Sequence, residues 1–530
     1  MAGTGQVTAD LSGETMLPDL FAQHPQTRAV FDRYGLHGCG GRTGPVESIA
    51  FFCRSHGVAQ QQLRRELHEA IESGQARSAA PLPWAAEASA ADTIYRPFFT
   101  AGIATVLTVG ATWGAWLLLR IGLAGSFTGG PSIFEINAHG HAQIFGWVGL
   151  FIMGFACQAF PRMWHTTLAA PRLATIAFWM MVTGIAARTV SMALAQAWSP
   201  AVPVTVAAGV LEIAAALIFV SQILATFRRS NAKVEPYLAF AVAALVFFVL
   251  QAVGDLWHTY NTMSARTREE LLWYVATYQA PLRDLQIHGL ALFMILGVSI
   301  RMVPALFEVR EVPRKRAWEA FGVLLAAVVL EIAIFISYRL TDNHAVAAAL
   351  LVPWLLLIAG VSLIAVPWKL WRPLPARDRS GKFVRMAYLW LAISLVMLPL
   401  LPVHQAVSGI AFSHAYYGAI RHAITVGFIS LMIMGFAAKV VPTLNGVDPR
   451  TLSQLWGPFV LVNLGCFLRV STQIATDWYS GAFWVIGLSG MLEVTGLAWW
   501  GIGLIRIMRQ GKREMATLAA EAEPARLAAT

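Results

Sequence analysis

Thirteen histidines occur in a 530-residue chain in which only 13% of residues are charged. Four lie in the N-terminal region, ahead of the apolar segments, and His165 lies in a basic loop. The other eight, His139, His141, His258, His288, His344, His404, His414 and His422, fall within or at the ends of long apolar segments. Neutral imidazole is a strong ligand for haem iron and for copper. A lone helical histidine is more often a hydrogen-bonded or interfacial residue, but eight at matching ends of helices, two of them duplicated, point toward ligation. His141, His288 and His422 are the first candidates, because each lies inside an apolar segment and faces a glycine-rich helix. Gly146, Gly154, Gly427 and Gly435 can serve either a flat macrocycle or close helix packing. His139 lies two residues from His141 and so points to another side of its helix, toward a second metal or a haem propionate. His414 flanks the same helix as His422 and is a further metal-ligand candidate. His258 and His344 read as interfacial.

Charged residues inside the apolar segments are few and patterned. Arg188 and Glu212 have the same sequence separation as Arg469 and Glu493, and each pair is centred on a turn. Antiparallel hairpin helices then place both partners at similar depth. One reading is a buried ion pair that fixes helix register. The other assigns the arginines to haem propionates and the glutamates to a proton path. Gln158, Arg301 and Lys439 each follow a motif glycine by one helical turn and reach the interface by snorkelling.

The elements that carry these residues are legible from hydropathy. Hydrophobic residues make up 57% of the chain, arranged in repeated apolar runs of roughly 20 residues. In lipid every backbone polar group needs an internal partner, so such runs are helices. The fold class is therefore all-α: a polytopic membrane protein with about twelve spans behind a small soluble helical domain. The spans fall at approximately 97–120, 138–160, 173–195, 203–226, 236–256, 282–304, 317–338, 345–366, 386–404, 418–441, 456–476 and 482–505. Residues 1–75 form the soluble domain, 76–94 a linker, 95–510 the membrane domain and 511–530 a tail. Loops after even-numbered spans are basic, as in Arg228, Arg229 and Lys233, or Arg314, Lys315 and Arg316. That bias puts both termini in the cytoplasm and all eight histidines near the outer face. The net charge of +10 reports this topology and not a nucleic-acid surface. Four scattered cysteines, Cys39, Cys53, Cys157 and Cys466, do not make a disulfide framework.

The membrane region repeats itself. At one fixed, ungapped offset His141-Ala142 matches His422-Ala423, Gly154 matches Gly435, Pro161 matches Pro442, and Arg188 and Glu212 match Arg469 and Glu493. A third copy begins in the sixth span, where Gly297 to Pro304 keeps the interval of Gly154 to Pro161. The expectation is three four-helix units with a diverged middle.

The run His139-Gly140-His141-Ala142-Gln143-Ile144-Phe145-Gly146-Trp147, with Arg421-His422-Ala423-Ile424-Thr425-Val426-Gly427, resembles the histidine motifs of the NnrS family. That resemblance covers roughly residues 95–510. It implies an inner-membrane protein carrying haem, of b type, and copper, tied to nitric oxide metabolism and resistance. His139, His141 and His422 become ligand candidates by the same resemblance. The His-x-His followed by Phe-Gly-Trp is also similar to subunit I of haem–copper oxidases, but that family's six-histidine set is missing. Leu17-Pro18-Asp19-Leu20, Val30-Phe31-Asp32-Arg33-Tyr34-Gly35-Leu36 and Cys53-x-x-His56-Gly57 resemble the small N-terminal domain of ScdA-type iron–sulfur repair proteins. There Cys39, beside His37, becomes a candidate metal or NO-reactive thiol. Three functions follow as expectations: a haem protein relieving nitric oxide stress, an oxidoreductase fed by quinol or a cytochrome, or a transporter built from repeats.

Overall fold

The structure, a computed structural model, describes residues 11–36, 44–45, 47–74, 93–127, 129–375, 378–445 and 447–527, with side chains no further than residue 511. Cys39 and His37 lie outside the described residues, as does most of the expected linker.

The N-terminal helices are Leu17–Gln23 (α1), Arg28–Phe31 (α2), Ile49–His56 (α3) and Gln60–Ser73 (α4). The Ser48 hydroxyl accepts from the Phe51 amide and caps α3. Along α4, Leu63, Leu67 and Ala70 recur at helical spacing and bury one stripe. They close on Leu17, Leu20, Phe31 and Phe52 to make a separate core. This domain sits on the end of the bundle. Arg54 pairs with Glu308 at 2.8 Å, and Phe51 packs against the main core. Burial pushes the Glu47 carboxyl up to about 8, partly offset by the charge of Lys439. Burial also drives His56 down to about 4, reinforced by His165, Arg162 and Arg301 across the junction.

Among the described residues, eleven helices are long and apolar enough to cross a membrane, and a bent pair makes a twelfth. In order they are Tyr95–Ala124 (α5), Ile133–Met163 (α6), Pro171–Ala193 (α7), Ala201–Arg229 (α8), Pro236–Ser264 (α9), Arg268–Phe307 (α10), Arg314–Thr341 (α11), His344–Trp368 (α12), the pair Gly381–Met397 (α13) and Leu401–Ser408 (α14), His414–Leu444 (α15), Trp456–Ala475 (α16) and Ala482–Gly511 (α17). The chain is thus a multi-pass, all-α membrane protein; among the described residues there is no strand. Two boundaries differ from expectation. The ninth span is bent by 59° between α13 and α14. Pro399 lies in the break, where it has no N–H to donate and its ring crowds the preceding turn. The sixth span begins at Arg268, several turns ahead of the start near Leu282 that hydropathy suggests. Its start is capped by Thr267, whose side chain accepts from Glu270, and Glu269 and Glu270 complement the helix dipole. The last helix runs on unbroken from Ala482 to Leu527.

Three spans, α6, α10 and α15, are the most buried, at 89%, 67% and 67% of their apolar windows. They form the centre, and the other spans wrap them. Asn137 of α6 bonds Gln279 and Arg283 of α10. Asp284 of α10 pairs with Arg421 of α15 at 2.8 Å, and Trp147 of α6 donates to Ser430 of α15 at 3.1 Å. Each central helix carries a π-helical stretch, at Ala142–Gly149, Leu285–Leu292 and Ala423–Ser430. The first and last of these are related by the repeat offset found in sequence, and the middle one falls about halfway between them. The first and last spans meet through small residues: a Cβ on Gly122 would come within 2.9 Å of the Phe483 carbonyl and 3.3 Å of Gly487.

The junction yields a pH prediction. With His56 at about 4 in place and 6.5 when free, the folded protein binds this proton less readily than the unfolded chain. Stability present above pH 6.5 is therefore lost as the pH falls toward 4. Allowing for partial exposure, His56→Gln should abolish roughly 2 kcal/mol of that loss. Thermal unfolding of the N-terminal domain across this range checks it, and an unchanged acid slope in the variant refutes it.

Candidate functional site

The three repeated units bring their polar groups to corresponding depths, but each arranges them differently. In the first unit four buried side chains from four consecutive spans close a ring. Arg188 of α7 lies between Glu212 of α8, at 2.9 Å, and Asp255 of α9, at 2.7 Å. Its guanidinium also donates to the Thr259 hydroxyl at 3.0 Å. His141 of α6 faces the same two carboxylates, with Nε2 donating to Glu212 at 2.9 Å and Nδ1 lying 3.4 Å from Asp255. Nε2 is thereby engaged, whereas Nδ1 lies close to Asp255 without a hydrogen bond to it. Gln286 extends the ring, donating to Gln251 and to Asp255, and itself accepts from Arg283 at 2.7 Å.

The third unit is open. His422 Nδ1 lies 2.8 Å from the Gly418 carbonyl of its own helix, and His139 Nδ1 lies 3.0 Å from the Gly110 carbonyl of α5. A carbonyl can only accept, so in each ring Nδ1 carries the proton and Nε2 keeps its lone pair. Neither Nε2 has a hydrogen-bond partner among the described residues. The His139 ring lies on Gly114, where a Cβ would come within 2.4 Å of it. Arg469 lies near enough for its charge to act on both imidazoles. Arg469 Nε and Nη1, Glu493 Oε1 and Gln473 Oε1 are buried without hydrogen-bond partners. The pairing expected between Arg469 and Glu493 by analogy with Arg188 and Glu212 is not made among the described residues. Arg188 has a second carboxylate, Asp255, to hold it in register, and Arg469 has none.

The middle unit is acidic. His288 Nδ1 donates to Glu331 at 2.8 Å, and Trp354 Nε1 donates to the other oxygen of Glu331 at 3.1 Å. Asp284 lies beside them, held by Arg421 at 2.8 Å, with the Tyr417 hydroxyl at 3.4 Å.

The structure therefore separates the histidines chosen from sequence. His139 and His422 lie in the open unit with Arg469. His141 and Arg188 lie in the closed ring, and His288 lies in the acidic cluster. His414 is exposed at the start of α15, against Phe412. His404 pairs with Asp477 at 2.8 Å, and His258 is buried one turn beyond Asp255. The four motif glycines receive neighbouring side chains. Gly146 faces Thr105, Gly427 faces Trp390, Gly154 faces Phe98 and Gly435 faces Phe383. They serve helix packing. Asp255, Asp284, Glu331 and Arg421 were not singled out in sequence. The signal for two of them was present: the register that aligns Gly297 and Pro304 with Gly154 and Pro161 also places Asp284 and Glu331 where the first unit has His141 and Arg188.

A haem fits the open unit on two observations: two imidazoles with a free Nε2, and a buried arginine with unsatisfied donors. His141 and Arg188 are more fully engaged, through Nε2 of His141 and two guanidinium nitrogens of Arg188, although His141 Nδ1 and Arg188 Nε are buried without hydrogen-bond partners.

Residues 92–512 match the family model described as NnrS protein. No curated protein matches the chain.

Closed and open units should respond differently to loss of their arginine. Arg188→Leu leaves Glu212 and Asp255 facing each other without a cation, a loss of about 3–5 kcal/mol. Arg469→Leu removes a guanidinium that has no ion-pair partner and should leave the unfolding temperature in detergent close to that of the unaltered protein. Equal destabilisation by the two substitutions would contradict the contrast.

Proposed function

The chain belongs to the NnrS family, and from that premise we propose that it is a haem-carrying inner-membrane protein that handles nitric oxide, with copper as a second metal. The observation that carries this reading is the pair of imidazoles, His139 and His422, each fixed through Nδ1 on a backbone carbonyl and each presenting an unengaged Nε2. This is the arrangement by which histidine is oriented as a metal ligand. Arg469 would meet a propionate with its unpaired nitrogens. Bound haem supplies an iron centre to which nitric oxide coordinates. The chain's part is to fix both rings, to keep Gly114 small beneath His139 and to offset anionic charge with Arg469. The closed ring around Arg188 takes no part in ligation and holds four spans in register.

The basic loops favour cytoplasmic termini, with the histidines at the outer face. The N-terminal domain, with its likeness to ScdA-type modules and its candidate thiol Cys39, then docks on the cytoplasmic ends of α6, α10 and α15. An electron donor, quinol or cytochrome, belongs to this reading only if the protein turns nitric oxide over.

Absorption spectra of the purified full chain test it. The unaltered protein should show a Soret band that shifts on adding nitric oxide. His139→Ala and His422→Ala should each lose most of that band, and Gly114→Val should weaken it by displacing the His139 ring. A colourless, haem-free unaltered protein overturns the reading.

A further inference from the structure

The middle unit differs from its neighbours in one specific way. The π-helical stretches at Ala142–Gly149, Leu285–Leu292 and Ala423–Ser430 set the register of the three central helices. Gly154, Gly297 and Gly435 follow at corresponding positions, as do Pro161, Pro304 and Pro442. In this register the position of His141 and His422 is Asp284. The position of Arg188 and Arg469, on the next helix of each unit, is Glu331. The position of Glu212 and Glu493 is Leu355. Two basic positions have become acidic, and the acidic one has become apolar. A histidine, His288, is added one turn beyond Asp284.

Asp284, His288 and Glu331 are 5%, 4% and 2% exposed, and one ligand atom from each lies within 4.8 Å of the others. Each carboxylate is anchored from outside the cluster. Arg421 holds Oδ1 of Asp284 at 2.8 Å, and the Trp354 N–H holds Oε1 of Glu331 at 3.1 Å. Of the second oxygens, Asp284 Oδ2 accepts only a long 3.4 Å bond from the Tyr417 hydroxyl, and Glu331 Oε2 accepts at 2.8 Å from His288 Nδ1, whose proton a cation would displace. Orientation of ligating carboxylates by outer hydrogen bonds is what a metal site requires. The charges point the same way. Two carboxylates face one arginine in a low-dielectric bundle, so the remaining negative charge has to be answered by a proton on His288 or by a bound cation.

We propose that Asp284, His288 and Glu331 bind one divalent first-row cation. Two carboxylate oxygens and one imidazole nitrogen suit Zn²⁺, Mn²⁺ or Fe²⁺ and do not suit Cu⁺, which prefers thiolate and imidazole. Remaining positions are open to water. This centre shares no residue with the His139 and His422 pair and does not depend on whether that pair carries haem.

The test uses the full chain in detergent, stripped with chelator and titrated with Zn²⁺ alone, with retained metal measured by mass spectrometry after desalting. The unaltered protein should keep one equivalent. Asp284→Asn and Glu331→Gln should each weaken uptake about 100-fold, while a His139→Ala/His422→Ala variant should keep it. Pulsed EPR of the unaltered chain loaded with Mn²⁺ removes dependence on variants that fail to fold, and it should show coupling to a single nitrogen. Zn²⁺ uptake that is absent, or equal in the Glu331→Gln protein, overturns the site, as does bound Mn²⁺ without nitrogen coupling. Loss of uptake in the His139→Ala/His422→Ala variant would instead assign the metal to the open unit. The Soret band is read separately, so failure of either proposal is seen independently of the other.

Discussion

A charge carried into the interior of a membrane bundle has to be answered by another charge within reach, and this constraint organises the first third of the membrane domain. Arg188 is fully buried, where neither lipid nor apolar side chains can solvate it. Glu212 and Asp255 flank it at hydrogen-bonding distance, and His141 faces both carboxylates. The four side chains come from α6, α7, α8 and α9, so the ring holds four helices at one depth. Sliding any one by a helical turn would strand a charge in hydrocarbon. Such a ring adds little net stability over a well-packed apolar core, because desolvation of the ions offsets most of their attraction. What it supplies is register, and with register the placement of everything attached to those helices.

The central helices use a second device. Each of α6, α10 and α15 widens into a π-helical stretch at the same point of its repeat, immediately after His141, Asp284 or His422. A π turn inserts a residue into the ladder, loosens local backbone pairing and re-aims neighbouring side chains. Ser430 shows the consequence: its hydroxyl donates to the Thr425 carbonyl on the preceding turn and accepts from Trp147 of the adjacent central helix. The distortion therefore falls where the three inner helices contact one another and where the polar groups begin.

Much of this was legible in sequence, for physical reasons that differ from residue to residue. Spans are legible because hydrocarbon imposes a length and forbids free backbone groups. The bend between α13 and α14 sat in plain view at Pro399, although hydropathy alone reads through it. The early start of α10 was hidden because its first turns are polar, and only the Thr267 cap and the acids behind it mark a helix there. The histidines stood out because imidazole is rare in lipid. Which of them is free to ligate was not legible, since that depends on what lies across the helix: two carboxylates for His141, a backbone carbonyl for His139 and His422. Asp255 escaped notice because its partner Arg188 is distant in sequence, two helices back, and its own helix has no duplicated acid to draw attention to it. Asp284 and Glu331 are hidden because the middle repeat keeps the glycines and prolines of the other two but changes the residue types at their polar positions.

Divergence among the three units then has a physical logic. In the first, every ionised group has a counter-charge, and that unit fixes geometry. In the third, the same arginine and glutamate are retained with the second carboxylate missing, which leaves donors and acceptors buried without partners. Each such group costs on the order of 1–3 kcal/mol if it stays empty. A scaffold that has its register secured elsewhere can carry that cost, whereas a bundle of three open units would not hold its helices in place. On the proposed reading, the unsatisfied atoms of Arg469, Glu493 and Gln473 are one half of an interaction whose other half is a ligand. The middle unit departs in the opposite direction, toward excess negative charge, and a bound cation would relieve it. One repeated four-helix pattern thus carries a lock, a set of unpaired polar groups and an acidic cluster, and the change of a few side chains at fixed positions is enough to separate the three.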